Sequence, residues 1–183
     1  MVAMRVLAED AENEAQREAL LASRDVAATV LQGIREMAVD LRPPVLDDLG
    51  LVSAIRKYVD KFQERLGIMV ELEMGQDEMS IPSEGAVALY RILQEGLNNI
   101  VKHSKATSIK IHLEISGKFI VLRLYDNGTG ISSAIIEQAR RENRLGLYGM
   151  QERAELMGGN FAIQGLASGG TELKVAIPLQ VGV

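Results

Sequence analysis

Apolar residues recur along this chain at two periods, and the switches between them mark out its elements. From residue 9 to residue 41 there is no proline, and Leu20, Ser23, Ala27, Val30, Ile34, Met37 and Leu41 follow at spacings of three and four. That spacing predicts a long helix with a heptad-like seam. A stripe of this length must be covered, either by a second copy of itself or by the helix's own domain, and the self-associating bundle is the simpler expectation. "LRPPVLDDLGL" then stops the helix. Pro43 and Pro44 cannot continue it, and Pro43 biases Arg42 away from helical geometry, so residues 43–47 are expected as a linker. Asp47 or Asp48 can cap the next helix, whose Leu51, Ile55, Tyr58, Phe62 and Leu66 share a face up to Gly67.

Beyond Gly67 the period changes. "IMVELEM" (68–74) predicts a strand, and Pro82 and Ser83 precede an amphipathic helix over 84–103. "SIKIHLEI" puts Ile109, Ile111, Leu113 and Ile115 on one face, and "KFIVLRLY" follows Ser116-Gly117, which predicts a hairpin. Residues 132–143 read as a short polar helix or a loop, and 147–157 as a helix stopped by Gly158-Gly159. "FAIQG" and "TELKVAIPL" are two final strands.

Composition narrows the possible functions. The 183 residues suffice for one well-cored domain plus an appendage, and 47% apolar content is ordinary for a globular chain. Twenty basic against 25 acidic residues give a net charge of −5, which argues against a nucleic-acid partner. With no cysteine, disulfides and thiolate metal sites are excluded. No apolar run approaches the roughly 20 residues of a membrane-spanning helix, and no secretory signal is visible at the start. A cytoplasmic protein is expected.

On the 84–103 helix, Leu93 defines a direction about which Tyr90, Leu97, Ile100 and Val101 cluster at about 100° per residue, forming the core stripe. Glu95, Asn99 and Lys102 gather on the other side. Taken alone, that flank is an ordinary solvated face. What raises its interest is "YDNGTGI" (125–131), where Asp126 closes a strand and Gly128 and Gly130 allow a sharp turn and a close approach to a flat ligand. A carboxylate there can accept hydrogen bonds from an exocyclic amino group such as that of adenine. "GLYGM" (146–150) is expected just before a helix, where free amides and the helix dipole favour an anion such as phosphate, and "SGGT" (168–171) adds a third cluster of small residues. Neither a P-loop nor a dinucleotide-binding fingerprint occurs.

The order of these blocks carries the information. "LYRILQEGLNNIVKHSKAT", "DNGTGI", "LGLYGMQERAELMGG" and "GGTELKVAIPL" resemble the N, first glycine, second glycine and threonine boxes of the GHKL ATPase superfamily. With "LRPPVLDDLGL" before them, the chain is similar to the sensor histidine kinases of the nitrate-sensor-like class. The resemblance implies an α/β fold: residues 48–183 as a two-layer GHKL (Bergerat) sandwich with a mixed sheet, preceded by a long α-helix in residues 1–42.

The resemblance also implies roles. Asp126 would read adenine, Gly128 and Gly130 would shape the pocket, and Thr171 would assist through its hydroxyl. Asn99 would ligate Mg²⁺ beside ATP, and Glu95 would be a polarising base. Lys102 or His103 would face phosphate. Gly146, Leu147, Gly149 and Met150 would belong to the lid and its anion contact. The long helix corresponds to the second helix of a dimerisation hairpin, so a homodimer is expected. The first helix, with its phosphoacceptor histidine, is absent from these residues. Of the two histidines, His112 lies on the polar side of a strand and His103 on the nucleotide-site helix. The expected function is therefore the ATP-binding catalytic portion of a two-component kinase, in the cytoplasm or in the cytosolic part of a membrane-bound sensor. It would donate phosphate to a histidine outside this chain, with a response regulator downstream. An anti-sigma-type serine kinase and a non-catalytic nucleotide-dependent module on the same fold are the alternatives.

Overall fold

The computed structural model describes residues 43–75, 81–141 and 145–179. The expected heptad helix over 9–41 lies outside the described residues. Backbone proximity divides the chain between Arg42 and Pro43, and everything described below belongs to the second part.

Pro44 opens helix α1 (Pro44–Leu66), where its missing N–H costs nothing in the first turn. The helix therefore begins inside the expected linker, and neither Asp47 nor Asp48 is its cap, because Pro43 occupies that place without a side-chain bond. Gly50, at φ 71°, interrupts it, and the helix resumes at Leu51 to bury Val52, Ile55, Val59 and Phe62. Leu66, at the end of the same stripe, remains exposed.

Strand β1 (Met69–Met74) leads to helix α2 (Ser83–Asn99), which continues into one π-turn, Ile100–Ser104. Strands β2 (Ser108–Ser116) and β3 (Phe119–Asp126) form the hairpin. Helices α3 (Ser133–Arg141) and α4 (Leu145–Leu156) follow, then β4 (Asn160–Gly165) and β5 (Thr171–Pro178). The sheet order is β1-β2-β3-β5-β4, with β1 parallel to β2 and every other pair antiparallel. This is the mixed α/β sandwich that the sequence led us to expect.

Strand alternation explains the two layers. Ile109, Ile111, Leu113, Ile120, Leu122, Leu124, Val175 and Ile177 point to one face and are almost wholly buried against Leu89, Ile92, Leu93 and Leu97 of α2. Each such side chain contributes on the order of 2 kcal/mol relative to exposure. Tyr58 of α1 meets Tyr90 of α2 edge to face, with ring centroids 5.9 Å apart. The opposite face is polar. There Lys110 bridges Glu73 at 2.6 Å, and Arg123 donates to Glu114 at 2.6 Å and approaches Nδ1 of His112 at 3.3 Å. His112 lies on that outer face, as its alternation with Lys110 and Glu114 predicts.

Candidate functional site

The core stripe of α2 holds for Tyr90, Leu93, Leu97 and Ile100, all buried, but Val101 is 42% exposed. Val101 belongs to the π-turn, beyond the α-helical part of α2, and stands at the margin of the stripe. Lys102 and His103, in the same turn, stand at the rim of a cavity of about 550 Å³ between α2, the ends of β3 and β5, and the α3–α4 region.

Ten of the twelve expected site residues line this cavity: Glu95, Asn99, Lys102, His103, Asp126, Gly130, Gly146, Leu147, Met150 and Thr171. At one end Asp126 is only 5% exposed. It stands at the last position of β3, opposite Thr171 at the first position of β5, so sheet register brings carboxylate and hydroxyl together. The amide of Gly128 donates to Asp126 Oδ1 at 2.8 Å, while Oδ2 takes no hydrogen bond among the described residues. At the other end are Glu95, Asn99, Lys102 and His103. Tyr58 lies near enough to Glu95 to feel its charge. Burial pushes the phenol above its ordinary value, Tyr90 adds to that, and Glu95 adds a smaller push.

Two expected residues sit differently. Gly128 does not line the cavity. A Cβ there would stand 2.7 Å from both the carbonyl carbon and the Cβ of Ser104. Its lack of a side chain lets the loop after Asp126 press on the end of the π-turn rather than on a ligand. Thr129 N donates to Ser104 O at 2.8 Å across that contact. Gly149 also lies outside the lining, with the Arg153 guanidinium folded over it. "GLYGM" itself is not a loop before a helix: α4 is described from Leu145, so these residues lie within the helix.

Gly146 brings α4 against the Glu95 and Asn99 flank of α2. A Cβ on it would approach Glu95 Oε1 to 2.6 Å and the Asn99 amide atoms to 3.5 and 3.6 Å. Gly130, at φ 76°, lies against Gly170 and completes the turn beside Asp126.

Sequence reasoning missed the apolar walls, Leu124, Leu173, Ile163, Ile131 and Ile135, and the polar Gln138 and Ser104. The first three could have been found, since they occupy inward strand positions near the site residues. Ile135 and Gln138 carry no comparable signal, because the pattern of residues 132–143 suits a short polar helix and a loop equally.

A buried acid at a sheet end, an amide and acid on a helix flank, and the glycine-containing start of α4 meet at one cavity, the arrangement expected of a nucleotide-binding ATPase domain. The chain belongs to the histidine kinase-, DNA gyrase B- and HSP90-like ATPase family, whose model matches residues 84–181. Within it the domain is of the GHKL type found in sensor histidine kinases. The chain is 34% identical over 166 residues to the signal transduction histidine-protein kinase/phosphatase DegS of Brevibacillus brevis, covering 88% of this chain and 42% of that protein. It thus spans under half of that relative's length. Among solved structures, it resembles the histidine kinase domain of the Erythrobacter litoralis EL346 blue-light activated histidine kinase. That likeness has a TM-score of 0.62 at 18% identity and covers 96% of this chain and 90% of the other. The Acinetobacter baumannii histidine kinase AdeS is similar at TM-score 0.59 and 15% identity, over 93% and 87% of the two chains. At these identities the likenesses establish the fold.

Proposed function

We propose that this chain is the ATP-binding catalytic portion of a sensor histidine kinase and that it transfers the γ-phosphoryl group of ATP to a histidine supplied by another segment. The observation that carries this reading is the polarity of the cavity. A buried carboxylate with one free oxygen sits at one end, and Glu95, Asn99, Lys102 and His103 sit at the other. A volume of about 550 Å³ lies in the range of small-ligand sites. Asp126 Oδ2 suits the adenine amino group, the apolar walls suit the base, and the cationic end suits phosphates.

Mg²⁺ fits the same arrangement. Among the described residues no group of three or more His, Cys, Asp or Glu forms a cage, so the available donor is the Asn99 amide oxygen with Glu95 one turn away. That set suits an ion shared with phosphates and waters, and when bound it would offset negative charge on the phosphates. Transfer would break the bond between Pγ and the bridging oxygen and form a P–N bond to imidazole, releasing ADP. Glu95 would polarise the incoming group, Lys102 and His103 would hold the phosphates, and the first turn of α4 would cover them. Gly146, Leu147, Gly149 and Met150 would act together as that cover.

His112 faces away from the cavity on the other side of the sheet, so the acceptor is taken to come from outside the described domain. A homodimer through residues 9–41 and a response regulator as downstream partner belong to the same proposal. No described helix is long and apolar enough to cross a membrane, and the site of action is proposed to be the cytoplasmic side, where ATP is found. The test mixes the chain with labelled ATP and a separate helical hairpin bearing a histidine. Acid-labile phosphate should appear on the hairpin and disappear with Asn99→Ala. Nucleotide binding without transfer would overturn the catalytic reading in favour of a binding module.

A further inference from the structure

Only two polar residues are buried among the described ones, Asp126 and Ser104. Burying a polar group without a purpose is unfavourable, and the proposed chemistry assigns nothing to Ser104. Its connections are specific. Oγ donates to Ile100 O at 2.9 Å and accepts from Ala106 N at 3.0 Å, so one hydroxyl ties together both ends of the π-turn and the chain leaving it. Its carbonyl accepts from Thr129 N at 2.8 Å, and the empty Cβ position of Gly128 is filled by its backbone. Lys105 follows at φ 55°, a left-handed conformation that a lysine holds only when its surroundings require it.

A second stitch lies beside the first. Asn127 Oδ1 accepts from Thr107 N at 2.9 Å and Ser108 N at 3.0 Å, and its Nδ2 donates to Thr107 Oγ1 at 3.0 Å. Residues 104–108 and 126–129 are therefore one clasp. The clasp joins the turn that carries Lys102 and His103 to the loop that follows Asp126.

We propose that Ser104 is a positioning residue that sets the span between the base-reading end of the cavity and its phosphate-facing end, by locking the π-turn onto the Asp126 loop. The inference rests on the nucleotide reading of the cavity given above. Were the turn to relax to α-helical geometry, each residue would advance about 100° again. Lys102 and His103 would then rotate about the helix axis, and their distance from Asp126 would no longer be fixed. Asp126, held by its strand register and by the Gly128 amide, would stay in place.

The consequence is a loss that depends on ligand length. Isothermal titration of the full chain with AMP and with Mg·ATP, for wild type, Ser104→Ala and Ser104→Cys, reads it directly. Ser104→Ala should weaken Mg·ATP about tenfold and AMP less than about twofold, since one internal hydrogen-bond node is lost and only distal contacts move. Ser104→Cys, similar in size and a weak donor, should fall between, and it carries the same comparison should the alanine variant fail to fold. Equal losses for both nucleotides, as a general loosening would give, would overturn the assignment, and so would unchanged Mg·ATP affinity. A wild-type chain that binds neither nucleotide would overturn the reading of the cavity itself, and the assignment with it.

Discussion

Replacing Gly146 with alanine separates the folding of α4 from its effect on the neighbouring side chains. The new methyl would stand 2.6 Å from Glu95 Oε1, about 0.8 Å short of an ordinary contact of 3.4 Å. The obstacle is the tip of a flexible side chain rather than backbone, so Glu95 can move aside at a cost of about 0.5–1.5 kcal/mol. Against this, alanine gains up to about 1 kcal/mol over glycine as a helix former. The two terms nearly cancel, and the melting temperature should stay within about 2 °C of wild type. The position of Glu95 does not cancel. A shift of about 1 Å in a reacting or polarising group costs up to roughly a hundredfold. Gly146→Ala should therefore lower kcat for phosphoryl transfer to a histidine-bearing hairpin by ten- to a hundredfold, with KM for ATP within about threefold. Transfer at the wild-type rate in a variant with an unchanged melting curve would refute the role given to Glu95. A large rise in KM with kcat preserved would instead mean that Gly146 serves binding alone.

Other outcomes follow from the same geometry. Gly128→Ala meets backbone atoms of Ser104 that cannot rotate away, and it should destabilise the domain by about 3 kcal/mol, seen as a fall of roughly 6–12 °C in Tm. On the outer face, the Arg123 guanidinium hydrogen-bonded to Glu114 holds that carboxyl below its ordinary value. A depressed carboxyl contributes stability above its unfolded value of about 4.3 and loses it as pH falls through the folded value. Glu114→Gln should therefore flatten the acid side of the stability profile, with little change at pH 7 in the cavity's affinity for nucleotide. An unaltered acid limb in urea titrations between pH 5 and about pH 3 would remove Glu114 from that account.

Much of the architecture could be read before any coordinates, because the relevant signals are local. Period-2 runs gave the hairpin and the last two strands, and the spacing of Tyr90, Leu93, Leu97 and Ile100 gave the buried stripe of α2. Glu95, Asn99 and Lys102 were placed together by helical geometry, and they do share one cavity. What escaped depended on contacts distant in sequence or on backbone states with no compositional mark. The π-turn after Asn99, which contains the exposed Val101, is such a state. Gly128 looked like a ligand-facing glycine because nothing local reveals that Ser104, 24 residues earlier, fills its empty side. The order of strands, with β5 between β3 and β4, is likewise a matter of long-range pairing. The start of α1 was misplaced for another reason: proline ends a preceding helix and opens a following one equally well, and Pro44 does the latter here.

The central claim is that one cavity takes the base at Asp126 and the phosphates at the α2 flank. Calorimetric titration of the chain with Mg·ATP, repeated with Asp126→Asn, addresses it most directly. Saturable one-site binding in wild type, weakened at least tenfold and up to about a hundredfold when the carboxylate becomes an amide, is the result the account predicts. Absence of heat with the wild-type chain, or affinity undiminished in Asp126→Asn, would contradict it.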